Sequence, residues 1–342
     1  MANAAGKVLL VGSINLLTVE DVFKTAGRIL GPHLKRVPDG EPGARKGWIG
    51  FNYAGLRTHP LFEHAAGGFQ NTGVVPLKLR ANVAPEDMVM GELGYAREAK
   101  GSYLDFKAAR KAGTVPRRCK FQVCLPTPLA VTSAFFVQDS QPKAEELFEA
   151  AMVREIGLIA AAIPHRDLAI QFDVCQEMIM WDGRFTFSGG NKSEGEIIAR
   201  LKRLADAVPE DVELGMHLCY GDFGGRHFVE PQDSTKMTEL ANAISAAIAR
   251  KIAWIHMPVP QDRSDEAFFA PLKKLKLHRE TELYLGLVHL ADGVEGTRRR
   301  MAAAGKYAKR FGVATECGMG RKWRLSEIPK LMQVHADVSA GG

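Results

Sequence analysis

Short apolar runs of strand length alternate with helical patterns along almost the whole chain, and this alternation restricts the fold more than any other feature. Eight runs have strand character: 8–14, 33–37, 121–125, 168–175, 212–220, 252–259, 283–289 and 312–317. A closed parallel barrel needs eight strands with a helix after each. The sequence therefore predicts an α/β fold, a (β/α)8 TIM barrel forming a single domain over residues 1–342. Helix signals support it. Thr18 and Asp21 open one helix, Ser193 and Glu196 form a capping pattern for another, and Pro142 sits in the first turn of a third. Met237, Leu240, Ala241, Ile244 and Ile248 share one helical face. The Gly-, Pro- and Arg-rich stretch 38–120, with extra strands expected near 74–79, reads as a long insertion after the second strand, lying over the catalytic face.

Composition narrows the function classes. Hydrophobic residues at 46% and charged residues at 25% are ordinary for a globular protein. The formal charge of +6 is scattered, apart from Lys273-Lys274-Leu275-Lys276 and Arg298-Arg299-Arg300, which read as solvated helix faces. No nucleic-acid module is recognisable, and no apolar run approaches the ~20 residues of a membrane span. Five cysteines in so long a chain point to reduced thiols, and with no signal-peptide pattern at Met1–Lys7 the expected location is the cytoplasm.

The segment Gly215-Met216-His217-Leu218-Cys219-Tyr220-Gly221 carries the clearest chemistry. On a strand, residues i and i+2 face the same side, so His217 and Cys219 converge. The glycine-rich run after them places the pair at the C-terminal end of the strand, where barrel enzymes hold their active sites. Cys317 ends the last strand just before another glycine turn. One imidazole and two thiols make a suitable three-ligand set for catalytic Zn2+, with a position left for substrate. A buried histidine beside structural cysteines is the bland alternative.

In this order of motifs the chain resembles the catalytic half of cobalamin-independent methionine synthase and its relatives, uroporphyrinogen decarboxylase and epoxyalkane coenzyme M transferase. The resemblance runs from about Val8 to Arg321 and includes Val11-Gly12-Ser13, Leu125-Pro126-Thr127-Pro128, Gln171-Phe172-Asp173 and the zinc triad. It implies zinc on His217, Cys219 and Cys317, with Gln171 and Asp173 contacting substrate. It further implies transfer of a methyl or alkyl group to a thiol acceptor, from a methylated corrinoid protein or another methyl donor. The family takes a glutamate ligand from the next strand, where this chain reads Trp254-Ile255-His256-Met257, so His256 is the candidate fourth ligand. Val174-Cys175 replaces the family's Glu-Pro after the aspartate, and folate is not the expected donor, since no match to the family's folate-binding half is expected in these residues.

Other residues at strand ends are candidates on position alone. The loop holding Asp39, Glu41, Arg45 and Trp48 follows the second strand and is suited to gripping a polar substrate, with Arg45 positioned for a carboxylate. Tyr220 and Asp222 follow the zinc pair, and His289 ends its own strand as a candidate proton donor. Cys175 shares a face with Asp173. Two further readings stay open: a zinc-dependent lyase or hydrolase acting on a small aromatic or carboxylated substrate through His289 or Asp173, and a non-catalytic metal- or ligand-binding barrel.

Overall fold

The computed structural model describes residues 7–66, 74–187, 190–222 and 224–340; parts of the expected domain and insertion, including Phe223 of the turn after Cys219, lie outside the described residues. Among the described residues nine strands form: β1 (Arg36–Pro38), β2 (Phe62–His64), β3 (Leu77–Leu79), β4 (Lys120–Pro126), β5 (Leu168–Val174), β6 (Glu213–Leu218), β7 (Trp254–Pro258), β8 (Glu282–Gly286) and β9 (Gly312–Val313). Seven of them make one parallel sheet in the order β1-β4-β5-β6-β7-β8-β9, while β2 and β3 pair as a separate antiparallel hairpin. The ring closes through residues 8–14. Val8 bridges Leu34 beside β1 and also Val313 on β9, and Ile14 bridges Met319.

Two apolar layers hold the ring. Outside it, helices bury one stripe each against the strands. The helix Val19–Leu30, capped by the Thr18 hydroxyl, buries Val22, Phe23, Ala26 and Leu30. The helix Glu194–Asp206 has the expected capping box of Ser193 and Glu196 and buries Ile197, Leu201 and Leu204. Inside the ring, Leu9, Val11, Ala169, Ala253, Trp254, Tyr284 and Ala314 pack as a separate cluster. Trp254 fits there because its neighbour across the ladder, Gly215, has no side chain; a Cβ on Gly215 would lie 1.9 Å from the indole. The Arg36 guanidinium lies 4.2 Å over the Trp254 ring and is paired with Glu213 at 2.6 Å and Glu282 at 2.9 Å. These groups stand at the starts of their strands and plug the N-terminal end of the barrel. That leaves the opposite end for chemistry.

The structure differs from the expectations in three places. The run 8–14 forms isolated bridges and 312–317 only the two-residue β9, and after it Gly318 and Gly320 pass hard against Ser13, where a Cβ would lie 2.3 and 2.8 Å from side-chain atoms. Part of 38–120 belongs to the barrel: the helix Tyr95–Lys111 packs its Tyr95, Ala99, Tyr103 and Phe106 face inward, and the insertion proper lies before it. Arg300 is not on a solvated face. It is buried, donates to the Leu287 and Gln261 carbonyls, and pairs with Asp292 at 2.7 Å. No described helix is long and apolar enough to cross a membrane.

Gly215→Ala tests the internal packing. Overpacking against Trp254 should lower stability by about 3 kcal/mol, read as a shift of the urea midpoint with the slope unchanged; an unmoved midpoint would mean Trp254 is free to relocate.

Candidate metal centre and active site

Parallel pairing sets Asp173, His217 and His256 at one level across β5, β6 and β7. His217 and Cys219 project to the same side as the alternation requires, and the turn after them brings the Gly221 N–H to 3.3 Å from Cys219 Sγ. Gly221 can make that turn because its φ is +89°, and a side chain there would strike Phe228. Cys317 arrives from the seam where the ring closes. Its Sγ lies 3.8 Å from that of Cys219, and the ligand atoms of His217, Cys219 and Cys317 all lie within 4.8 Å of one another. Two sulfurs at ~2.3 Å from one tetrahedral zinc stand about 3.8 Å apart. The donor set and its spacing therefore fit the ion.

His256 does not join this group. Its Nδ1 lies 2.7 Å from His217 Nδ1, behind the imidazole. Burial holds both rings neutral, His217 well below the usual histidine range and His256 pushed down to about 3. Only one of the facing Nδ1 atoms then carries a proton. When His217 donates it, the His217 Nε2 keeps a lone pair, and that Nε2 is a buried atom with no hydrogen-bond partner among the described residues. Hydrogen bonding to Cys175 and burial raise the Cys219 thiol well above its ordinary range, while its bond to Cys219 and burial raise Cys317. The Arg321 guanidinium, paired with Asp222 at 2.8 Å, lies 3.9 Å from Cys317 Sγ.

A cavity of about 660 Å3 opens over these groups, with Glu41, Trp48, Asp173, Asp222, Cys175 and Arg321 among its walls. Asp173 is held on both sides: Gln171 Nε2 donates to Oδ1 at 2.9 Å and Trp48 Nε1 to Oδ2 at 3.1 Å. Burial pushes its carboxyl up to about 7 against those two bonds. Glu41 is only 8% exposed, has a φ of +53°, and no described residue bonds its carboxyl; burial, then Asp173 and Asp39, push it up to about 8. Trp48 also has a positive φ, +55°, so two wall residues sit in a backbone region that side chains disfavour.

Several expected site residues are turned elsewhere. Arg45 is committed to Asp39 at 2.7 Å and Glu98 at 3.3 Å, so its fork faces the protein and not a substrate carboxylate. Asp39 shapes the loop by also accepting from the Glu41 N–H. Gln171 lies inside the barrel, bonded to the Val11 carbonyl, and touches the cavity only through Asp173. Tyr220 is buried and donates to Asp182 at 2.9 Å. His289 bonds the Val259 carbonyl at 2.9 Å and stands 3.6 Å from Glu316, outside the main cavity. Sequence reasoning missed Arg321 as a partner of Cys317, and it missed the apolar wall of Ile49, Phe135, Phe187 and Phe228. Those four are scattered over the chain with no spacing to connect them.

The site thus defines an α/β barrel whose C-terminal mouth carries a thiol–imidazole group that could hold a metal ion. Among solved structures, a B12-independent methionine synthase from Shewanella sp. W3-18-1, in complex with selenomethionine, is similar at 15% identity over 98% of this chain and 97% of that one, with a TM-score of 0.63. A protein from Listeria monocytogenes assigned as a vitamin-B12 independent methionine synthase is similar at 13% identity, covering 99% of each chain, with a TM-score of 0.57. No family model matches the sequence, and neither does any curated protein. At such identities the likeness establishes the fold.

Glu41 supplies a pH test on the metal-free protein. Its folded-state value near 8 exceeds the ordinary 4.5, so the folded chain binds the extra proton and loses stability as pH rises between those values. Glu41→Gln should therefore raise stability near pH 8 by on the order of 4 kcal/mol and by less than about 1 kcal/mol near pH 5. Urea midpoints at the two pH values check this; equal effects at both would contradict it.

Proposed function

We propose that the protein is a zinc-dependent methyl- or alkyltransferase acting on a thiol acceptor, similar in chemistry to methionine synthase. One observation carries the reading: two thiols and a buried, unpartnered imidazole nitrogen converge at the spacing of a tetrahedral ion, at the mouth of a barrel shared with methionine synthases. His217, Cys219 and Cys317 would hold the zinc, which would supply the acidity that makes a substrate thiol a thiolate at neutral pH.

The chain's own residues do the rest. His256 positions His217 by accepting its Nδ1 proton, which keeps Nε2 free to ligate. The Gly221 N–H and the Arg321 guanidinium lie against the two sulfurs and stabilise their thiolate forms. Asp173, fixed by Gln171 and Trp48, and the unpartnered Glu41 offer acceptor oxygens to a proton-bearing head group of the substrate. With acceptor and donor aligned, the thiolate sulfur forms a bond to the alkyl carbon as the carbon's bond to its leaving atom breaks, the leaving atom keeping the electron pair. His289, the proton donor of the lyase or hydrolase alternative, is turned into the protein.

Purified protein should contain close to one zinc per chain. Cys317→Ser should lose most of it, and His256→Phe should weaken zinc binding by roughly 10- to 100-fold while the folding midpoint of the metal-free chain stays within ~1 kcal/mol. Competitive titration with a chromogenic chelator measures both. Equal zinc content in wild type and Cys317→Ser would remove the proposal.

A further inference from the structure

The cavity over the sulfur pair is unlike one built for a small amino acid. Its floor is the sulfur pair and His217, and one wall carries the carboxyls Glu41 and Asp173. Most of the remaining wall is apolar: Trp48, Ile49, Val74, Phe135, Phe187 and Phe228. Phe185 and Phe187 meet edge to face with centroids 5.0 Å apart, and Phe228 lies 6.5 Å from Phe185, so the aromatic surface continues out of the cavity to the protein exterior. Exposed rings beside a cavity of about 660 Å3 are the features of a site for a broad apolar ligand.

Charge points the same way. An amino-acid thiol brings an α-carboxylate, which an available guanidinium or ammonium would pair with most strongly. Arg321 is the only Lys or Arg among the described residues lining the cavity, and it is paired with Asp222 at 2.8 Å. Arg45, the next guanidinium in the neighbouring loop, is held by Asp39 and Glu98. A further carboxylate beside Glu41, Asp173 and Asp222 would bring a new charge to a buried wall already crowded with acidic groups and without a free cation.

We infer that the molecule brought to the sulfur pair carries an aryl or comparably broad apolar group and no free carboxylate. This rests on the thiol-alkylation reading above, which fixes the ligand as a thiol or its alkylated product. In such a ligand the sulfur faces Cys219 and Cys317, the rings of Trp48, Phe135 and Phe187 pack on its flat body, and Glu41 and Asp173 accept from any hydroxyl or amine it carries.

Two thioethers isolate the body from the sulfur: benzyl methyl sulfide and L-methionine. Calorimetric titration of each into the full chain, with and without zinc, measures the preference. Benzyl methyl sulfide should bind at least tenfold more tightly in both forms. Phe187→Ala, at a half-buried rim position, should weaken the sulfide at least threefold and leave L-methionine unchanged. Methionine binding as tightly as the sulfide, no detectable sulfide binding, or a preference untouched by Phe187→Ala would each overturn the inference. Because the metal-free arm needs no zinc, failure of the metal reading shows separately, in the zinc content of the Cys317→Ser comparison.

Discussion

The contact between His217 Nδ1 and His256 Nδ1 governs the site. An imidazole has two nitrogens, and the hydrogen bond made by one decides what the other can do. Here burial keeps both rings uncharged, so the pair shares a single proton between the facing atoms. Without an acceptor behind it, His217 would have no reason to keep its proton on the rear nitrogen, and two thiols 3.8 Å apart would face a donor instead of a ligand. The register that sets β6 beside β7 makes this contact possible, and that register in turn depends on Gly215 yielding space to Trp254 one turn of the pleat below. Packing at the closed end of the barrel and ligand orientation at the open end are thus linked along two strands.

Burial without compensation is the second theme. Glu41 and Asp173 lose water and gain few partners, and both are pushed toward neutrality. Glu41 and Trp48 also hold disfavoured backbone conformations. Such costs persist only where surrounding structure enforces them, and here that structure is the Asp39–Arg45–Glu98 cluster, which consumes the charges the loop would otherwise show to solvent. Arg45 is thereby held within the loop and Lys46 lies exposed against Asn15, which leaves the cavity acidic at one wall and apolar over most of the rest.

Much of this was legible in the sequence. The eight apolar runs located the ring, because strand burial on both faces writes itself as continuous hydrophobicity. The period of two placed His217 and Cys219 on one side, and glycine turns placed their strand ends. What stayed hidden depends on relations between distant segments. Whether His256 ligates or orients turns on which imidazole nitrogens meet across the β6–β7 pair, and no local spacing reveals that. Tyr220 and His289 sit at strand ends like true site residues, yet Asp182 and the Val259 carbonyl draw them away, and neither partner is implied by local spacing. The aromatic wall was invisible for the same reason. Its members come from separate segments, Phe135 from the end of a helix, and share only their destination.

Zinc K-edge X-ray absorption of the purified wild-type protein tests the central claim most directly. The account predicts two sulfur neighbours at ~2.3 Å and at least one nitrogen at ~2.0–2.1 Å around a single ion. A first shell of oxygen and nitrogen alone, with no sulfur, would contradict it.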